Sequence, residues 1–179
     1  PGNPYEHAMR DYYRALDARL GELVQLAGDE TAVLVVSDHG AQGMQGGLCL
    51  NQWLINEGLL TLVTPSTGRR RIEDCAIDWP KTRAWGSGGY YGRVFLNVAG
   101  REPQGVVPAH EYEVFRDELA ARIESMPGPD GKPLGNRAHR PEALYRTVRG
   151  VPPDLLVYFG DLRWRAVGAV GFDSIYTFE

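Results

Sequence analysis

The stretch TAVLVVSDHGAQG, residues Thr31–Gly43, decides the fold class of this chain. Its first six residues, Thr31–Val36, are apolar without alternation, which is typical of a central parallel strand that helices cover on both faces. An amphipathic helical pattern precedes this run, and a helix, a short loop and a buried strand in this order are typical of α/β proteins. We therefore predict an α/β fold with Thr31–Val36 as a strand.

Two polar residues follow that predicted strand directly. Asp38 and His39 stand where open α/β sheets gather their functional groups, just beyond the carboxyl end of a strand. A carboxylate and a neutral imidazole are both good ligands for zinc and similar ions. Neighbouring residues reach one ion only where the chain is already turning, and Gly40 is expected to permit that turn. An Asx-type turn with an incidental histidine explains the same residues without a metal.

The composition fits one globular domain with a core, or part of a larger one, since the 179 residues are 43% hydrophobic. The net charge of −4 does not indicate a nucleic-acid-binding protein, although a local basic patch is compatible with it. No apolar run reaches the roughly 20 residues of a membrane helix and no signal peptide is visible, so a cytoplasmic protein is expected. Cys49 and Cys75 are interpreted as reduced structural thiols. Both ends look cut, so we expect a fragment.

Periodicity predicts the remaining elements. Apolar residues at a spacing of 3.6 predict helices near Tyr5–Ala27 and Ala109–Met126. A short helix capped by Asn51 and closed by Gly58 is expected between them. Further strands are predicted near Thr82–Trp85, Arg93–Val98 and Asp154–Phe159, with SIYTF as a last one. We expect Asp154–Phe159 to share a sheet with Thr31–Val36.

Five segments carry a family resemblance. VLVVSDHG, NQWLINEGLL, DWPKTRAW, VFLNVAGREPQGVV and PPDLLVYF follow one another across most of the chain. Together they resemble the alkaline phosphatase superfamily, in its type I phosphodiesterase/nucleotide pyrophosphatase branch with the related predicted phosphohydrolases and phosphomutases. The resemblance implies an alkaline-phosphatase-like α/β fold, with a mixed, mostly parallel sheet flanked by helices, here incomplete. It also implies that residues 1–179 form a single domain, the C-terminal part of a larger metal-dependent phosphohydrolase.

The resemblance further implies a reaction, the hydrolysis of phosphoric esters or pyrophosphates through a Ser or Thr nucleophile at a two-metal site. Asp38 and His39 match the family's adjacent Asp-His pair, which ligates one of two ions, usually zinc, with manganese in the mutase-like relatives. The nucleophile and the other ligands cannot be placed in this sequence, so no catalytic or substrate-binding residue is assigned. The chain alone is expected to be inactive and to hold no zinc tightly.

Other polar residues are interpreted as structural or solvated. His7 lies on a helix face, His110 at the start of the second long helix, and His139 in a loop. Ser37 is tempting as a nucleophile but corresponds to a framework residue in the family.

Two polar loops are also candidates for substrate contact. Asn97, Arg101 and Glu102 either frame a substrate or fix their own loop, and the second reading is favoured. Arg69–Arg71 either meets a phosphate or is a solvated loop, and the second is again favoured.

Two alternatives stand beside the hydrolase. A phosphomutase on the same scaffold would return the phosphoryl group to another hydroxyl, and a non-catalytic module would cap a substrate or mediate association. The expected partner is a phosphorylated small molecule, with no nucleic acid and no membrane, and the oligomeric state is left open.

Overall fold

A computed structural model describes residues 2–178, and it confirms the mixed α/β class with two sheets and four helices. The helices are α1 (Ala8–Ala27), α2 (Leu50–Asn56), α3 (Tyr112–Glu124) and α4 (Pro141–Leu144). The strands are β1 (Gly46–Cys49), β2 (Ala84–Ser87), β3 (Gly92–Leu96), β4 (Arg137–His139), β5 (Leu155–Tyr158), β6 (Trp164–Val167) and β7 (Tyr176–Thr177). The chain divides after Ala41 into two compact units. The single-domain expectation stays a prediction.

The first unit contains α1 and the segment that follows it. The predicted helix is confirmed, although its apolar stripe, which includes Met9, Leu16 and Leu23, is exposed. The predicted strand Thr31–Val36 is wrong, because this segment pairs with no strand among the described residues and Val35 is 97% exposed. An apolar run predicts burial, but a strand also needs a hydrogen-bonded neighbour, and residues 2–178 provide none for this segment.

The second unit holds both sheets. Strands β6, β1 and β7 form a three-stranded sheet in that order, in which β1 pairs parallel with β6 and antiparallel with β7. Strands β2, β3, β5 and β4 form a four-stranded sheet that is antiparallel throughout. The expectation of a mostly parallel sheet is therefore wrong for the described strands. A short connection, residues 88–91, joins β2 to β3, and such turns suit antiparallel pairs, whereas parallel pairs need a long crossover.

One cluster of buried apolar side chains lies in the second unit. Both sheets, α2 and α3 contribute to it, for example through Leu48, Leu54, Val94, Leu119 and Val157. This burial is the main favourable term in the stability of the unit. Among residues 2–178, no helix has the length and the apolar character that crossing a bilayer requires.

Asn51 does not cap α2 but lies inside it and is completely buried. Its Nδ2 donates to the carbonyl oxygens of Gly86 at 2.8 Å and Gly168 at 2.7 Å, and its Oδ1 accepts from the Gly86 N–H at 2.7 Å. The amide therefore pairs with the outer edge of β2, the end strand of its sheet, as a neighbouring strand would. Gly86 is required there, since a Cβ would overlap the Leu50 side chain.

Asn51→Ala should lower the free energy of unfolding by about 3 kcal/mol, because it leaves buried polar groups of Gly86 without a partner. Urea unfolding followed by circular dichroism measures the change. Asn56→Ala, on the exposed end of the same helix, is the matched control and should cost less than about 1 kcal/mol. Equal losses in the two variants would contradict the role given to Asn51.

Candidate functional site

The Asp38-His39 pair lies in an irregular segment that follows residues 31–36. Both side chains are solvent-accessible, Asp38 at 88% and His39 at 80%. The Oδ2 of Asp38 and the Nε2 of His39 are 3.6 Å apart, so the two side chains turn toward one point although they are neighbours in sequence. The chain is turning at this position, as the sequence interpretation required.

A contact with the backbone orients the ring of His39. Its Nδ1 lies 3.0 Å from the carbonyl oxygen of Gly40. A carbonyl oxygen only accepts, so this contact is a hydrogen bond in the neutral tautomer that carries its proton on Nδ1, and in that tautomer Nε2 keeps its lone pair. Nε2 and the Asp38 carboxylate lie on the same side of the turn. Backbone bonds of this kind orient the histidine ligands of metals.

The spacing of the two ligand atoms fits a metal ion. Ligands about 2.1 Å from zinc at the tetrahedral angle are about 3.4 Å apart, close to the observed separation. Spacing alone is not specific, since Nε2 of His110 and Oε1 of Glu111 are also 3.6 Å apart. Among the described residues no group of three or more His, Cys, Asp or Glu side chains is placed to hold a metal. Asp38 and His39 are thus suited to supply two ligands of a larger set.

Neighbouring residues brace this turn. The hydroxyl of Ser37 donates to the His39 carbonyl oxygen at 2.6 Å, in keeping with a framework residue. Gly40 is not sterically required, because its φ is not positive and an added Cβ would meet no atom within 4 Å. The expectation that a glycine permits the turn is therefore wrong.

The remaining histidines lie apart from this pair in the sequence and differ in setting. His7 directly precedes α1, and His110 is exposed in a short 3₁₀ helix before α3. The prediction that His139 lies in a loop is wrong, because the residue lies in β4. Its ring meets that of Tyr158 edge-on, with ring centres 5.3 Å apart. The segment RAH that forms β4 is too short to show strand alternation in the sequence.

The loop after β3 is fixed by its own polar residues, as the sequence favoured. Asn97 is buried, and its Nδ2 donates to the carbonyl oxygens of Trp79, Thr82 and Gln104 at 2.8–3.0 Å. Glu102 accepts from the N–H of Val98 at 2.7 Å. These side chains are used for structure.

Arg101, on the same loop, binds the buried carboxylate of Asp154. The guanidinium of Arg101 donates two bonds of 2.7 Å to the two oxygens of Asp154. The N–H of Leu96 and the hydroxyl of Tyr112 add bonds of 2.6 Å and 2.7 Å. Burial, reinforced by the bond to Asp154, raises the pKa of Tyr112 to about 12, so its hydroxyl stays a donor at neutral pH. Sequence reasoning missed this cluster, because its members are up to 58 residues apart.

The basic run Arg69–Arg71 is exposed, as a solvated loop would be. The guanidinium of Arg69 lies 5.0 Å from the centre of the Phe172 ring, and Nε of Arg71 lies 3.5 Å from Glu73. Both cysteines are free thiols, and burial raises the pKa of Cys49 to about 11. Cys49 is buried and Cys75 half-buried, in keeping with their interpretation as structural thiols.

The mixed α/β fold, with two sheets flanked by helices, is compatible with an incomplete fold of the alkaline phosphatase type. The family model described as type I phosphodiesterase / nucleotide pyrophosphatase matches residues 2–173, nearly the whole chain. This chain belongs to that family, which acts on phosphoric esters of small molecules. The comparisons with curated proteins and with solved structures gave no match.

Asp154→Asn should lower the free energy of unfolding by about 2–4 kcal/mol, because it removes the charge that Arg101 and Tyr112 surround. Urea unfolding at pH 7 measures this change. Glu118→Gln, on the exposed face of α3, also removes one negative charge and should change stability by less than about 0.5 kcal/mol. An Asp154→Asn variant as stable as the Glu118→Gln variant would show that the cluster is not needed.

Proposed function

We propose that this chain contributes a metal-binding half-site to a metal-dependent phosphohydrolase, with Asp38 and His39 as two ligands of one divalent ion. The observation that carries the proposal is the 3.6 Å approach of Oδ2 of Asp38 and Nε2 of His39, with Nδ1 held by the Gly40 carbonyl oxygen. In the tautomer with the proton on Nδ1, Asp38 and His39 present two lone-pair donors to one point, and such a pair attracts a cation. Family membership supports the same assignment.

Each residue of the turn has a separate task. Asp38 supplies negative charge and an oxygen ligand, and His39 supplies a neutral nitrogen ligand of fixed orientation. In this proposal Ser37 holds the backbone of the turn through the His39 carbonyl oxygen, and the nucleophile is another residue. Zinc, or manganese in its place, stabilises charge on a phosphoryl oxygen when it is bound. We propose that a Ser or Thr nucleophile and the other ligands, enough for two ions, come from residues outside these 179.

Zinc should bind the chain weakly and one to one. Structural sites with four ligands are worth about 10–16 kcal/mol, so two ligands should give about half of that, or a Kd of about 1–200 μM. Isothermal titration at pH 7.5 should give such a Kd, and His39→Ala should abolish binding.

The matched control for that titration is His110→Ala, since His110 and Glu111 have the same spacing. It should leave the Kd unchanged. Loss of binding in His110→Ala with retention in His39→Ala would contradict the assignment. A sub-micromolar Kd would show that further ligands lie within these residues.

Turnover should need more than this chain. Bis-p-nitrophenyl phosphate should not be hydrolysed with added zinc, because the proposal places the nucleophile and most ligands outside these 179 residues. The complete gene product should hydrolyse a phosphoric ester, and Asp38→Ala should lower kcat/KM by at least about 100-fold.

Asp29→Ala, which removes an exposed carboxylate near the end of α1, is the control for that measurement and should leave kcat/KM unchanged. Zinc-dependent turnover by the 179-residue chain, abolished by Asp38→Ala, would overturn the proposal that the nucleophile lies elsewhere.

A further inference from the structure

The four-stranded sheet has a solvent-facing side with an unusual composition. In β2 and β3 buried residues alternate with accessible ones, and the register pairs Trp85 with Phe95. Leu156 stands between Arg93 and His139 in the next row. We call this side the aromatic face. Its accessible residues are Trp85, Tyr91, Arg93, Phe95, Arg137, His139 and Tyr158.

The rings on the aromatic face form two clusters. Trp85 stacks on Phe95 with ring centres 5.5 Å apart, and Trp79 meets Trp85 edge-on at 5.1 Å. At the other end Tyr158 meets Tyr91 at 6.0 Å and His139 at 5.3 Å. These rings fix one another at the surface and stay accessible. Tyr91 is exposed and the other rings are half-buried. Accessible aromatic surface of this kind is typical of interaction sites.

The charges on this face are positive. Arg93 lies in β3 beside the aromatic rows. Its Nη2 donates to the Ser87 hydroxyl at 3.0 Å and to the Gly88 carbonyl oxygen at 3.3 Å, which leaves Nε and Nη1 for a ligand. Arg137 pairs in register with Tyr158. Neither arginine forms an ion pair with a described residue. Strands β2, β3, β4 and β5 contain no Asp or Glu. The face therefore complements an anion, although the chain as a whole is acidic.

A cavity of about 320 Å³ adjoins the Trp cluster. Trp79, Trp85 and Pro103 line it, and its polar edge is formed by Asn97, Glu102 and Gln104. The carboxylate of Glu102 is bound to the N–H of Val98 and to Arg101, so it adds little free negative charge. A flat ring can enter such a cavity against the indole rings.

We propose that the aromatic face binds single-stranded nucleic acid. Bases stack on accessible rings without regard to sequence, and phosphates pair with neighbouring cations. A four-stranded sheet with exposed aromatic side chains accommodates two or three unstacked bases. A duplex hides its bases, so stacking selects single strands. The proposal departs from the expectation of no nucleic acid partner, and it depends neither on Asp38 and His39 nor on hydrolysis.

Fluorescence anisotropy of 5′-fluorescein-labelled dodecathymidylate, in EDTA at 50 and 200 mM NaCl, tests the proposal. We expect a micromolar Kd for the single strand and at least tenfold weaker binding of a 12-base-pair duplex. Tyr91→Ala should weaken binding about 5- to 100-fold, whereas Tyr91→Phe should retain it. Arg93→Gln should reduce the slope of log K against log salt by about 0.7.

Matched controls lie outside the face. Tyr145→Ala removes an exposed tyrosine and Arg71→Gln an exposed arginine, and both should bind as the parent chain does. Asp38→Ala should also bind normally, so failure here is distinct from failure of the metal assignment. Thermal unfolding of each variant reports whether it is folded.

Three results would overturn the proposal. The first is a Kd above 1 mM for dodecathymidylate. The second is binding that neither Tyr91→Ala nor Arg93→Gln changes in folded protein. The third is self-association in sedimentation that Tyr91→Ala abolishes while the strand does not bind, which would assign the face to a second copy of the chain.

Discussion

The second unit depends on one buried carboxylate, that of Asp154. It directly precedes β5, and its two oxygens accept from the backbone of β3, from Arg101 on the following loop and from Tyr112 on α3. Tyr112 in turn accepts from Arg116, whose guanidinium reaches Glu142 of α4. A buried charge is tolerated only when its lone pairs are satisfied, so the elements around it must keep their positions.

Local patterns in the sequence predicted the elements that carry their own signal. The stripes of α1 and α3, and the apolar run of β5, are readable because helices and strands repeat along the chain. The run Thr31–Val36 misled, because its hydrophobicity says nothing about a pairing partner. The prediction of Asn51 as a helix cap was also wrong. The side-chain amide of Asn can cap a helix or pair with the edge of a strand, and the residue type does not distinguish the two roles. The bonds of Asp154 join residues far apart in sequence, and no local pattern indicates them.

For the candidate metal pair, Asp38 and His39, the sequence indicated the residues and the structure indicated their geometry. The two residues came from a family resemblance, and the family model covers the same chain. The contact of the His39 Nδ1 with the Gly40 carbonyl oxygen and the approach of its Nε2 to Asp38 come only from the fold of the turn. Residue type indicates which atoms are able to bind a metal, and backbone geometry determines which of them are oriented to do so.

The amide of Asn51 has a consequence for how this chain can vary. A replacement at position 51 must present a donor and an acceptor in one plane to Gly86. Among the other side chains only that of Gln does so, and it adds one methylene group that the core must accommodate. Gly86 cannot acquire a side chain while Leu50 packs against it. Positions 51 and 86 are therefore expected to vary together. Relatives should either retain both Asn51 and Gly86 or replace both of them together with Leu50.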